Sequence, residues 1–419
     1  MIKINSIYRL VSLLFISSIP LMPLYGMKIH YILGFLSIIF LLIQTVFVKK
    51  AIDKLIYFEI IYIVFICYSW FNSSNAPSIV DSKYLVKNMA FNFCSIVTSF
   101  RLLMMSRKEH ENIIIKVLEV FSYSTLIISI YCIIVEYILM PGTGQRLGHI
   151  VFANQYGTRM TYTFNLFISS LYIIFQILNK NINKYKRSKY FFLLSFFLVC
   201  SLISGTRKLL LGLVIFLIVY MILDRRINIY NFLVYIILGI ISIVGLYVSI
   251  MKIDILYNTF GNRIETLFQQ MTQGSGDGSL WERNLMIDYA IKYFKINPLT
   301  GNGTDAFRFK FANDTGIFLY SHNNFTEILC NLGIIGFFIY YGGLLLTIIK
   351  IQIKKIKETR YIDNYFIASI VSCIILDYWT VSYYRLHFLI LYVSAAFWVN
   401  IRNSKYKLER QKINRKRGI

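Results

Sequence analysis

The stretch "LYSHNNFTEILCNLGIIGFFIYYGG", residues 319–343, joins two kinds of chemistry in one run. From Ile328 onward it reads as a membrane helix. It opens on Ser321, His322, Asn323 and Asn324, a polar cluster set against the lipid boundary. His322 is one of only five histidines in the chain. Apolar runs like this one recur from end to end. Each has roughly 20 residues, enough to cross a hydrocarbon core about 30 Å thick. Of the 419 residues, 57% are hydrophobic and 15% charged, whereas a soluble domain carries about 25% charged residues. The fold class is therefore an all-α polytopic membrane protein. A β-barrel would show segments of about 10 residues alternating in polarity.

Hydropathy places about twelve transmembrane helices, with ends uncertain by about four residues. They are 7–25, 30–48, 55–72, 85–105, 114–139, 160–178, 190–204, 208–223, 229–250, 325–349, 362–378 and 384–400. The net charge of +24 would suggest nucleic acid in a soluble protein, but no nucleic-acid motif accompanies it. The basic residues collect in short loops instead: "KKAIDK" (49–54), "RLLMMSRKEHEN" (101–112), "NKNINKYKRSK" (179–189), "DRR" (224–226), "KIQIKKIKETR" (350–360) and the tail from Arg402. With the N-terminus these loops alternate strictly with the others. The positive-inside rule then puts both termini in the cytoplasm. The outward set comprises 73–84, 141–159, the tight turn 204–207, the long segment 251–324, and 378–384. Residues 1–419 read as one integral membrane domain, with 251–324 as a long external loop inserted in it. The first 25 residues lack a small-x-small cleavage site, so they read as an uncleaved first helix. The six cysteines form no CxxC pair and read as small apolar packing residues.

Three outward stretches hold the polar chemistry. "GTGQRLGHIVFANQYGTRM" (142–160) carries Arg146, His149 and Asn154 just before a span. "LISGTRKLLLGLVIFL" (202–217) puts Arg207 at the outer membrane edge, where positive charge is least expected. A boundary arginine there either snorkels to lipid headgroups or binds an anion. In the long loop, Ser279 and Glu282 form a capping-box pattern. Leu285, Met286, Tyr289, Ala290, Tyr293 and Phe294 then recur at helical spacing, and Asn297-Pro298 stops the helix. An amphipathic external helix over 280–295 follows. Arg283 falls in its first turn on the more polar face, where the macrodipole disfavours a cation. Glu282, Asp288 or an anionic ligand must hold it. "TGNGTDAF" (300–307) is a glycine turn without the ending of a P-loop.

Asn324 and Glu327 repeat the capping spacing, so the next span begins at about 324. His322 then stands at a positive helix terminus. That favours its neutral form, able to accept a proton. Asn323 and Asn324 would orient it or bind sugar hydroxyls. Outside the membrane there is no HExxH, GxSxG, DxD or Cys/His cluster, so neither a metal nor a cofactor is expected. Arginines with one neutral histidine suit an anionic leaving group and a hydroxyl nucleophile.

These pieces, in order, resemble the O-antigen polymerase/O-antigen ligase superfamily of bacterial inner-membrane glycosyltransferases. The matching stretches are "RLGHIVFANQYG" (146–157), "SGTRKLLLGLVI" (204–215), "WERNLMIDYAIKYFKINPLTGNG" (281–303) and "YSHNNFTEILCNLGIIGFFIYY" (320–341). The resemblance implies metal-independent transfer of a glycan from undecaprenyl diphosphate at the outer face of the cytoplasmic membrane. Arg207 and Arg283 would hold the diphosphate with Arg146 assisting, and His322 would be the general base. His149, Asn154, Asn323 and Asn324 would contact the substrate. "SGTRK" and "YSHNNFTEILCNLGIIGF" look closer to repeat-unit polymerases than to ligases, which transfer to lipid A–core. Implied partners are the lipid-linked oligosaccharide as donor and acceptor, membrane lipid, a chain-length regulator and a flippase. A transporter is the competing class: Asn88, Asn92, Ser95 and Ser99 share a helix face that could line a path. No inverted repeat or interrupted helix is evident in the sequence to support it.

Overall fold

The computed structural model describes residues 2–46, 56–106, 110–139, 146–152, 159–179, 182–205, 207–224, 248, 251–252, 257, 278–353 and 359–416. Among the described residues there is no strand. A helix stands at every segment predicted to span except 229–250, which lies almost wholly outside them. By length and composition four helical stretches could cross a membrane: Gly26–Val46, Ile113–Leu139, Met160–Leu178 and Asn324–Ile353. Ser6–Ser18 and Lys208–Leu223 are apolar but shorter. The chain is thus a helical membrane protein, and it packs as two compact units, Met1–Phe121 with Arg283–Ile419, and Ser122–Glu282.

In the first unit, α1 (Ile2–Ser18), α2 (Met22–Val46) and α4 (Ile79–Ser106) pack on one another. Polar side chains bond these helices together. Asn92 Oδ1 meets His30 Nε2 at 3.3 Å, the Tyr31 hydroxyl donates to Asn88 Oδ1, and Ser99 Oγ donates to Ser37 Oγ. The Asn88–Ser99 face is therefore interhelical glue. α3 (Tyr57–Asn72) lies along α11 (Asn324–Ile353). α12 (Arg360–Leu376) and α13 (Leu386–Lys416) complete the packing around α11. The second unit holds the end of α5 (His110–Ile133), its π-helical continuation Ile134–Leu139, α6 (Arg159–Leu178), α7 (Lys184–Ile203) and α8 (Arg207–Leu223). α6 is buried along nearly its whole length between α7 and α8. Its Tyr162 and Ser169 hydroxyls donate to Ser129 and Thr125 of α5.

The helix expected over 280–295, α9, runs Gly278–Ile296 and ends just before Asn297-Pro298, as predicted. It starts before Ser279, so that residue lies inside the helix and not at its cap. Met286, Ala290 and Tyr293 form a buried cluster with Phe307, Phe311 and Cys330, and Leu285 and Tyr289 pack against it. Phe307 and Phe311 belong to α10 (Ala306–Thr315), a short helix the hydropathy pattern does not reveal.

α11 is interrupted, contrary to the expectation from sequence. Gly333 adopts φ 65°, ψ −168° inside it. The break would strand backbone groups in an apolar setting, each costing several kcal/mol. The "PLTGNG" turn fills it. Ile334 and Ile335 donate their N–H groups to the carbonyls of Pro298 and Leu299, while Asn302 N–H and Gly303 N–H reach the carbonyls of Cys330 and Asn331. The Tyr68 hydroxyl takes the Leu332 carbonyl at 2.9 Å, and Asn72 Nδ2 bonds the carbonyls of Thr300 and Asn331. Contact is so close that a Cβ on Gly333 would stand 2.3 Å from the Leu299 oxygen, and one on Gly301 2.4 Å from the Asn331 oxygen. The 298–303 turn therefore plugs the broken helix. A path through the break would need those backbone groups exposed.

Candidate active site

Asn323, not Asn324, caps α11. Its Oδ1 accepts the N–H groups of Phe325 at 2.9 Å and Thr326 at 3.1 Å. Glu327 reaches back past the cap to the Ser321 N–H at 2.8 Å, and Ser321 Oγ donates to the Asn323 carbonyl. This folds "YSHN" into a tight turn. At its tip His322 takes φ 57°, a left-handed conformation, and is half-buried. A non-glycine residue held there is uncommon and concentrates at functional sites.

Asn324 is drawn inward because its side chain completes a buried junction. Its Nδ2 donates to the Tyr341 hydroxyl at 2.8 Å and to Asp377 Oδ2 at 3.0 Å. Its Oδ1 accepts the N–H groups of Ser382 and Tyr383 at 2.9 and 3.1 Å. Both amide hydrogens and both lone pairs are engaged, and the residue is wholly buried. It anchors the turn 377–385 beside the mouth of α11, with nothing left over for a sugar hydroxyl.

Beside Glu327 and Asp377 there is a third buried carboxylate. Asp305, 1% exposed, pairs with Arg308 through Oδ2. Burial pushes its carboxyl from the usual 3.8 up to about 6, against the pull of the Arg308 guanidinium.

Arg283 belongs to the same unit. It lies three residues before Met286 and seven before Ala290, so helical periodicity puts it in line with the packed face of α9. It is half-buried between exposed Glu282 and Asn284. This corrects the reading that placed it on the polar face. No carboxylate, neither Glu282 nor Asp288, makes an ion pair with it among the described residues.

The second unit brings together two of the predicted motifs. The turn 146–152 is held by Glu136, a residue the sequence reading missed because it lies inside an apolar run. Glu136 is 3% exposed in the π-helical stretch. Its Oε2 accepts Gly148 N–H at 2.7 Å, and its Oε1 accepts the N–H groups of Ile150 and Val151 at 2.9 Å each. Arg146, half-buried, then lies over the "SGTR" turn: its Nε is 3.2 Å from where a Cβ on Gly205 would stand. Arg207 is the first residue of α8, two positions past Gly205, and its side chain lies outside the described residues. His149 is exposed on the same turn. Asn154 lies outside the described residues.

Among the described residues no three His, Cys, Asp or Glu side chains gather as a metal site. The first unit thus offers a turn-held histidine and a half-buried arginine without a carboxylate. The second offers Arg146 over the turn that leads into Arg207. Such groups accept a proton and neutralise an anion.

Residues 190–341 match the family model described as O-antigen ligase. That stretch runs from α7 to the middle of α11 and contains Arg207, Arg283 and His322. No curated protein matches the chain.

Proposed function

The chain carries an O-antigen ligase domain and belongs to the O-antigen ligase/polymerase superfamily, and from that premise we propose that it is a repeat-unit polymerase. It transfers a growing glycan from undecaprenyl diphosphate to a sugar hydroxyl of the next lipid-linked repeat unit, at the outer face of the bacterial cytoplasmic membrane. About twelve helices cross the membrane, with both termini in the cytoplasm. His322 takes the proton from the acceptor hydroxyl. The oxygen attacks the anomeric carbon, and the bond to the diphosphate breaks. Arg207 and Arg283, with Arg146 beside the first, stabilise the charge that leaves with the diphosphate. Asn324 positions the mouth. Asn323 caps α11, and His149 and Asn154 reach the glycan. A flippase supplies the donor, and a chain-length regulator acts on the product.

The observation that supports glycan transfer is the family match, a stretch that contains His322, Arg207 and Arg283; polymerisation is favoured by the likeness of "SGTRK" and "YSHNNFTEILCNLGIIGF" to repeat-unit polymerases. Transfer to lipid A–core is the second reading, favoured by the printed description of the family. Purified protein in liposomes with lipid-linked repeat units and lipid A–core separates them. Longer lipid-linked chains support polymerisation. Glycan appearing only on core supports ligation. Substrate crossing the bilayer without glycosidic bond formation would sink both.

A further inference from the structure

Four side chains beside His322 have no part in this mechanism. Arg308 lies with its guanidinium carbon 5.6 Å from the Tyr320 ring centre. The Tyr320 and Tyr384 rings stand 5.8 Å apart. Arg385 lies 4.8 Å from the Tyr384 ring. All four are half-buried, so the row is open along one side. It sits at the mouth of α11 for two reasons. Tyr320 is two residues before His322, and Asn324, two residues after it, holds the N–H groups of Ser382 and Tyr383.

The two arginines differ in their charge balance. Arg308 is matched by Asp305 through Nε and a terminal nitrogen. Among the described residues no carboxylate pairs with Arg385, and the nearby acids are engaged elsewhere. Glu327 is held by the Ser321 N–H and Asn331, and Asp377 by Asn324 and Tyr341. Arg385 Nε is buried and, among the described residues, finds no hydrogen-bond partner. The residue also immediately precedes α13, at the positive end of that helix. A half-buried guanidinium with an orphaned N–H and an adverse dipole is stabilised by an anion.

We propose that Arg385, aligned by Tyr384 and with the Asp305-braced Arg308 across the tyrosine pair, binds an acid group of the incoming glycan lipid. The inference rests on the glycan-transfer reading and names a substrate contact for it. The ligand chemistry is a phosphate or carboxylate oxygen pair, from either the lipid-linked diphosphate or an acidic sugar.

The test is direct binding of an undecaprenyl-diphosphate-linked repeat unit, extracted from cells, to the purified full chain. Arg385→Gln should raise Kd about tenfold or more, and Arg385→Lys by less, since lysine keeps the charge without the fork. Thermal melting in detergent confirms that each variant is folded; if the Gln variant is not, the Lys variant carries the test. Inorganic diphosphate that weakens binding to wild type by more than it weakens binding to Arg385→Gln supports the lipid diphosphate as the source. The same pattern with glucuronate supports an acidic sugar. An unchanged Kd in folded variants overturns the proposal. His322→Ala should abolish turnover while changing Kd far less than Arg385→Gln does, so failure of the base and failure of this contact read out separately.

Discussion

His322 stands in a left-handed conformation because three neighbours impose it: Ser321 on the Asn323 carbonyl, Asn323 on the helix N–H groups, and Glu327 on the Ser321 N–H. A proton acceptor at such a fixed point has lost little to disorder. His322→Ala should lower polymerisation about a hundredfold or more, with membrane insertion intact. Full-length glycan ladders from that variant would remove His322 from the chemistry. Asp305 makes a separate statement about pH. Its folded pKa is raised, so its contribution to stability is complete below about pH 3.8 and is lost as pH rises through about 6. Asp305→Asn mimics the protonated form. The melting temperature of wild type minus that of the variant should therefore fall between pH 4 and pH 7. A difference that stays flat would mean the carboxyl is not perturbed. The position of His322 at a helix mouth was legible from residue type and place. The roles of Asn323 and Asn324 were not, since two adjacent asparagines look alike until one faces the helix and the other Asp377.

Two elements depend on backbone groups that sequence patterns do not register. The break in α11 is tolerated only while the 298–303 turn fills it. Gly333→Ala puts a Cβ 2.3 Å from the Leu299 oxygen at a positive φ, which should cost about 3 kcal/mol or more. Loss of folded protein in detergent, measured by size exclusion, would show it; a variant as stable as wild type would mean the plug yields easily. In the second unit, Glu136 holds three N–H groups of the turn that carries Arg146. Glu136→Ala leaves all three unsatisfied and should cost about 3 kcal/mol. Glu136→Gln keeps one acceptor oxygen and should fall between, in stability and in polymerisation rate. Equal behaviour of the two variants would mean the carboxylate does not order the turn. The apolar spacing of α9 did foretell its buried face, Met286, Ala290 and Tyr293. The polarity of Arg283 points to solvent, but its place in the 3.6-residue period sets it in line with the packed face.

At the scale of the whole molecule, the alternation of basic and neutral loops makes a testable map. In a chain with its own cysteines replaced, Ile317→Cys should react with a membrane-impermeant maleimide from outside. A tag after Ile419 should stay protected until the membrane is opened. Labelling with the opposite sidedness would invert the proposed topology and take His322 away from the outer face. What the sequence by itself determined is the helical membrane class, the place of nearly every described helix, and the residue types on which a glycan transfer could rest. Those follow from local rules: apolar length, helical period and charge beside a span. What only the tertiary structure decided is which of those residues are held by partners far along the chain. Asn324 is tied to Asp377, the 298–303 turn lies in the gap at Gly333, and Arg385 stands beside the mouth of α11. Each joins groups dozens of residues apart, or completes a backbone broken elsewhere. The free energy of such contacts comes from satisfying buried polar groups, a requirement that no local pattern of side chains records.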